Sequence, residues 1–134
     1  MRKNVYLIDD DQDDREIFAL ALESAHQEAV YYAAKNGQEA LEALTTGTVP
    51  DYIFIDLNMP YMSGRECLQE IKKRPMLKDV PAIVYTTSSH SRDVDELMKL
   101  GAEHYLVKPN SLAKLTEILH NLLKGDPLPY LIAS

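Results

Sequence analysis

The chain has 134 residues, 46% of them apolar and 26% charged, the balance of one ordinary globular domain. That leaves no room for a second one, and no run approaches the roughly 20 apolar residues of a membrane span. A net charge of −7 without a basic stripe opposes direct nucleic-acid binding. The single Cys67 rules out an internal disulfide, and the apolar stretch after Met1-Arg2-Lys3-Asn4 is too short for a signal peptide, so a cytoplasmic protein with no membrane partner is expected.

Short apolar runs alternate with longer segments of helical spacing. Val5-Tyr6-Leu7-Ile8 reads as a first strand, followed by the acidic run Asp9 to Asp14 and a helix with Ile17, Phe18, Ala21, Leu22 and Ala25 on one stripe. Val30-Tyr31-Tyr32 is a second strand, followed by a helix bearing Ala40, Leu41 and Leu44. Tyr52-Ile53-Phe54-Ile55 is a third; the helix after it carries Leu68 and Ile71, with Cys67 read as a small buried hydrophobe. Ala82-Ile83-Val84-Tyr85 and Tyr105-Leu106-Val107 are the fourth and fifth, separated by a helix with Val94, Leu97 and Met98 that Gly101 can end. The last helix, with Leu112, Leu115, Ile118, Leu119 and Leu122, opens at an Asn110 or Ser111 cap and stops at Gly125.

Strands buried on both faces and joined through helices predict an α/β fold, a doubly wound five-stranded parallel sheet flanked by five helices over residues 1–124. Residues 125–134, with two prolines, are expected to leave the last helix as an extended tail that either docks through its apolar residues or frays, with no output domain beyond it.

In open parallel sheets ligands bind beyond the carboxyl ends of the strands. Those positions hold Asp9 and Asp10 after the first strand, Asp56 after the third, Thr86 and Thr87 after the fourth, and Lys108 after the fifth. Carboxylates held close together raise one another's pKa unless a cation sits among them, and Mg²⁺ prefers such oxygen donors. A carboxylate can also attack phosphorus to give an acyl phosphate when charge on the phosphoryl oxygens is offset, a task for a cation and Lys108. In Asp56-Leu57-Asn58-Met59-Pro60, Pro60 halts a regular element, Gly64 permits a tight turn before the third helix, and the Asn58 backbone carbonyl can face a metal. A cis peptide at Lys108-Pro109 would aim the ammonium back at the site.

These motifs together resemble the receiver domains of two-component response regulators, over about residues 4 to 124: Asp9-Asp10 ending a strand, Ile55-Asp56-Leu57-Asn58-Met59-Pro60 with Gly64 following, Thr86, and Tyr105-Leu106-Val107-Lys108-Pro109. The resemblance implies a flavodoxin-like strand order 2-1-3-4-5 and a stand-alone, chemotaxis-type receiver. It implies that Asp56 takes a phosphoryl group from the histidine of a sensor kinase or phosphotransfer protein. Asp10, Asp56 and the Asn58 carbonyl would hold Mg²⁺ or Mn²⁺, with Asp9 assisting through water. It further implies that Lys108 contacts the phosphoryl group, that Thr86 is a switch hydroxyl and that Tyr105 is an aromatic ring turning inward behind it. Output would pass to a protein partner through the fourth helix, fifth strand and fifth helix. Thr87 is often smaller in this family, which narrows access, and the side chains at Asn58 and Ser88 imply slow to moderate self-dephosphorylation.

Other readings compete. Asp11, Asp13 and Asp14 are expected to be solvated charges favouring the start of the first helix. A calcium loop fails because Asp14 stands at the required glycine and Leu20 at the closing glutamate. An aspartyl-phosphate-forming small-molecule phosphatase wants a second Asp where Asn58 stands, and a nucleotide-binding module wants a Gly- or Ser-rich loop where Asp9-Asp10-Asp11 lies. An unphosphorylated adaptor of the same fold is the remaining alternative. The four histidines form no ligand pattern.

Overall fold

The computed structural model describes residues 2–133, so Met1 and Ser134, the last residue of the expected tail, lie outside the described residues. Five strand-then-helix units follow one another. They are β1 (Lys3–Ile8) with α1 (Gln12–Ala25), β2 (Ala29–Ala34) with α2 (Gly37–Thr46), β3 (Tyr52–Ile55) with α3 (Gly64–Lys73), β4 (Ala82–Thr86) with α4 (Ser91–Lys99), and β5 (His104–Val107) with α5 (Leu112–Lys124). A short β6 (Leu131–Ile132) closes the chain. The sheet runs β2-β1-β3-β4-β5-β6, all parallel. This is the doubly wound, flavodoxin-like order, extended by one strand that the sequence did not announce.

The sheet is hydrophobic on both faces, as a parallel sheet sandwiched between helices must be. On one face Tyr6, Ile8, Ile53, Ile55, Ala82 and Val84 meet Leu41, Leu44, Cys67, Leu68, Ile71, Val94 and Leu97 from α2, α3 and α4. On the other, Val5, Leu7, Phe54, Ile83 and Tyr85 meet Phe18, Leu22, Leu115, Ile118 and Leu119 from α1 and α5. Phe18 packs edge-on against Phe54 and Tyr85, with ring centroids 4.9 and 5.4 Å apart. Ile17, Met98 and Leu112, placed on apolar stripes by their spacing, are instead exposed at the stripe margins. No described helix is long and apolar enough to cross a membrane.

Side-chain caps set the helix starts. Asp11, Asn36, Ser63 and Ser111 each accept a hydrogen bond from the backbone N–H three residues on, and Ser63 with Glu66 forms a reciprocal capping box. Gly125, in the left-handed region at φ 91°, ends α5.

The tail docks. Tyr105 N–H donates to the Tyr130 carbonyl at 2.7 Å, Tyr130 Oη donates to the Val94 carbonyl at 2.6 Å, and Ile132 is buried against the α1/α5 core. Leu128, Tyr130 and Ile132 alternate at the period of a strand, so β6 covers the edge of β5 that would otherwise expose a row of unpaired amides. Deleting residues 126–134 is expected to lower stability by about 2–4 kcal/mol, from the lost burial of roughly two large side chains. An unchanged thermal melt would show that the tail contributes nothing.

Candidate functional site

The register of the sheet builds the site. Ile8 lies opposite Ile55 in the parallel β1–β3 pair, so the residues that follow, Asp9 and Asp56, leave the sheet side by side. The pairing is carried one step further by the Asp56 N–H donating to the Ile8 carbonyl at 2.8 Å. Thr86 ends β4 opposite Val107, and the Lys108 N–H donates to the Thr86 carbonyl at 2.7 Å. A shared sheet thus delivers residues distant in sequence to one mouth.

Oxygens of Asp9, Asp10 and Asp56 lie within 4.8 Å of one another, Asp9 and Asp56 buried and Asp10 exposed. Lys108 Nζ, on a side chain only 10% exposed, stands 2.9 Å from Asp9 Oδ2, 2.7 Å from Asp14 Oδ2 and 3.9 Å from Asp56 Oδ2. It also lies 5.1 Å above the Tyr85 ring, a favourable place for a cation. Asp9 Oδ1 accepts from the Asp11 N–H at 3.0 Å, but Oδ2 is buried without an aligned hydrogen-bond donor, the Lys108 contact being an ion pair of poor angle.

Three carboxylates against one ammonium leave the site short of positive charge. Burial is the largest influence on Asp56 and pushes its pKa up to about 7; Lys108 and the Asn58 N–H pull the other way, while Asp9 and Asp10 add to the rise. Burial likewise raises Asp9 against the opposing Asp11 N–H and Lys108. Burial alone would lower Lys108, yet the hydrogen bond to Asp14 and the ion pair with Asp9 outweigh it and hold the ammonium firmly charged. The hard oxygen donors, the buried Asp9 oxygen without an aligned donor and the excess of negative charge are what a small divalent cation such as Mg²⁺ or Mn²⁺ suits.

A pH prediction follows. An acid whose pKa is higher folded than unfolded binds more protons in the folded state. Its effect on stability is therefore most favourable below about pH 4 and is lost as pH rises through about 7. In chelator the melting temperature is expected to fall between pH 5 and pH 8, and millimolar Mg²⁺ should recover most of that loss. Parallel melts with and without the ion would contradict this assignment of charge.

The remaining expected residues are placed as follows. Thr86 is buried, and its hydroxyl accepts from the Ser88 N–H at 3.4 Å. Thr87 is exposed on the rim, and Pro109 is half-buried beside Lys108. Tyr105 is wholly buried, its hydroxyl donating to the Ser88 carbonyl at 2.8 Å. Asn58 is exposed, and its backbone N–H serves Asp56. Gly64 is buried, but the reason differs from a turn conformation: its N–H donates to the Leu57 carbonyl at 2.9 Å, and an added Cβ would lie 2.7 Å from Leu57 Cα. The left-handed residue of this loop is Tyr61, at φ 69°. The suggested cis peptide at Lys108-Pro109 is corrected, since no described peptide bond is cis and the long lysine side chain reaches the carboxylates from a trans bond.

Two groups escaped the sequence. Asp14, expected to be a solvated helix-start charge, is half-buried and is the nearest acceptor to Lys108. Arg65 on α3 pairs with Asp93 and Glu96 of α4, and Asp93 also accepts from Ser88 Oγ at 2.8 Å. Neither contact has a local signature, because each joins residues far apart in sequence.

Comparison with known proteins decides the family, since residues 5–120 match the response regulator receiver domain. The chain belongs to that family. Transcriptional regulatory protein YdfI of Bacillus subtilis is 34% identical over 124 residues, covering 92% of this chain and 56% of that protein. PhoB of Pseudomonas aeruginosa is 31% identical, covering 92% and 55%. This receiver domain therefore spans about half the length of these relatives. The polar-differentiation response regulator DivK of Brucella anthropi is matched over 99% of its length, with 29% identity and 94% of this chain. Among solved structures, the phosphorylated cyanobacterial phytochrome response regulator RcpA superposes with TM-score 0.83 and 29% identity, covering 96% of this chain and 99% of that one. The Mn²⁺-bound form of Rcp1 follows at 0.81 and 29%, covering 95% and 99%. Receiver domains work with histidine kinases and phosphotransfer proteins in two-component systems.

Proposed function

We propose that this receiver domain accepts a phosphoryl group on Asp56 from a histidine kinase or phosphotransfer protein, in a reaction dependent on Mg²⁺ or Mn²⁺, and signals to a protein partner by changing shape. The observation that carries the reading is the buried Asp56 carboxylate, drawn up to a pKa of about 7, at the mouth of a carboxylate cluster with Lys108 Nζ 3.9 Å away. Asp10, Asp56 and the Asn58 backbone carbonyl would hold the cation, with Asp9 assisting. A bound divalent cation would keep Asp56 ionised and offset charge on the phosphoryl oxygens.

The chain's own residues supply the rest. An Asp56 oxygen attacks phosphorus, the P–N bond of the phosphohistidine breaks, and the imidazole leaves with the electron pair and takes up a proton. Lys108, 3.9 Å from Asp56 Oδ2, would donate to a phosphoryl oxygen, and the buried Thr86 hydroxyl would turn towards it. Turning would withdraw the acceptor of the Ser88 N–H. Ser88 also holds Tyr105 through its carbonyl and α4 through Asp93, so the disturbance reaches the α4–β5–α5 face that β6 borders. The acyl phosphate would be lost at a slow to moderate rate, given the side chains of Asn58 and Ser88 that flank the site. The reading describes a phosphoacceptor switch that catalyses its own phosphorylation and dephosphorylation, acting in the cytoplasm.

Acetyl phosphate with Mg²⁺ should add one phosphoryl group by intact mass, lost on hydroxylamine treatment and absent when the ion is chelated. Beryllofluoride should shift the amide resonances of Ser88 and Asp93. A chain that remains unmodified and spectrally unchanged under both treatments would be an adaptor of the same fold.

A further inference from the structure

The ammonium of Lys108 is claimed by the wrong carboxylate for phosphoryl transfer. Its shortest contact is the 2.7 Å hydrogen bond to Asp14 Oδ2, from the first turn of α1, whereas Asp56 stands at 3.9 Å. The pair joins residues 94 apart in sequence, and with the Lys108 side chain 10% exposed and that of Asp14 32% exposed it is partly shielded from water. Asp14 is not among the clustered oxygens of Asp9, Asp10 and Asp56 that suit a cation. A cation drawing on Asp9 would loosen that residue's hold on Lys108, but nothing in the cluster's geometry draws on Asp14.

Helix-dipole compensation, the ordinary role of an acid in a first turn, is already met by Asp13 on the same turn and by Asp11 as the cap. It requires no reach across the site to Lys108. The position of Asp14 therefore has a consequence for the ammonium beyond the helix. A charge-assisted hydrogen bond of this length fixes the stem of Lys108 over the Tyr85 ring and sets what a phosphoryl oxygen must displace.

We propose that Asp14 is a positioning residue that competes with the phosphoryl group for Lys108, and so sets how readily Asp56 takes up and keeps a phosphoryl group. The inference rests on the phosphoacceptor reading of Asp56. Two requirements follow. Removing the Asp14 charge must strengthen phosphoryl-like binding, and it must do so only when Lys108 is present. A general loss of negative charge near the site would strengthen anion binding whether or not Lys108 is there.

The test is beryllofluoride affinity at saturating Mg²⁺, measured for the wild-type chain, Asp14→Asn, Asp14→Ala, Asp13→Asn, Lys108→Gln and the Asp14→Asn/Lys108→Gln double variant. Both Asp14 variants are expected to bind about tenfold more tightly than wild type, the change that about 1.4 kcal/mol produces. Asp13→Asn should change affinity less than about twofold, and Asp14→Asn should have no further effect once Lys108 is Gln. Unchanged or weaker binding in both Asp14 variants, an Asp13→Asn effect of the same size, or an Asp14 effect that persists without Lys108 would each overturn the proposal. Thermal melts establish that each variant is folded, and two Asp14 replacements guard against one failing. A wild-type chain that binds no beryllofluoride would instead sink the phosphoacceptor reading, and this inference with it.

Discussion

Asp56→Asn is expected to abolish phosphoryl uptake from acetyl phosphate and, in the same protein, to raise stability at neutral pH in chelator. The two effects have one origin. The wild-type carboxylate is buried among like charges, and its ionised form is disfavoured enough to bring its pKa to about 7. Asn keeps the shape and removes the charge, so above that pH the folded state no longer carries the penalty. A gain of about 1–2 kcal/mol is expected at pH 8, discounted from the full shift because the cluster opens to water at the exposed Asp10. At pH 4, where the wild-type group is already neutral, the two proteins should melt together. Mg²⁺ should stabilise wild type and do little for the variant. Equal melting temperatures at pH 8 in chelator would mean that Asp56 is not held under charge repulsion.

Gly64→Ala is expected to cost about 3 kcal/mol or more, and to disturb the Asp56 loop even where the protein stays folded. The reason is close approach rather than backbone conformation. A Cβ at position 64 would overlap the Asp56 carbonyl oxygen, lie 2.7 Å from Leu57 Cα and lie 3.1 Å from the Asp56 carbonyl carbon. All three are backbone atoms, fixed by the β3 ladder on one side and by the Ser63 capping box on the other, so neither neighbour can yield as a flexible side chain would. The Gly64 N–H bond to Leu57 would break as the helix moved away. Phosphoryl uptake should fall with stability, and a variant that melts like wild type would show that the loop relaxes easily. Gly125→Ala differs in kind, since nothing lies within 4 Å there and only the positive φ resists a side chain.

The contrast between these glycines illustrates what the sequence can carry. Strand and helix identities were legible because continuous apolar runs and helical spacing reflect burial on two faces of one sheet, and the acids at the strand ends were legible because parallel strands finish at one edge. What was not legible depends on contacts across the fold. Asp14 looked like its neighbours in an acidic run until α1 and β5 were seen to bring it against Lys108. Tyr85 looked like a core aromatic, which it is, but its ring also lies beneath the ammonium. The tail was expected to run extended and either dock or fray, and what settles it as a strand is the open edge of β5, which gives the alternating Leu128, Tyr130 and Ile132 a partner. Ile17, Met98 and Leu112 matched helical spacing but fall at stripe margins, where a period of 3.6 does not decide burial.

The output path has the same character. Thr86 and Ser88 are close in sequence, but Tyr105 reaches Ser88 from 17 residues away, Ser88 is tied to α4 through Asp93, and Arg65 then joins α4 to α3. A change at the strand ends therefore has a physical route to α4 and on to α3.

The central claim is tested most directly by locating the modification. The chain, treated with acetyl phosphate and Mg²⁺, is reduced with borohydride, which converts an aspartyl phosphate to homoserine, and is then digested and sequenced by mass spectrometry. Homoserine at position 56 alone is the predicted result; homoserine at another acid, or none after reduction of a protein that has gained a phosphoryl group, would contradict it.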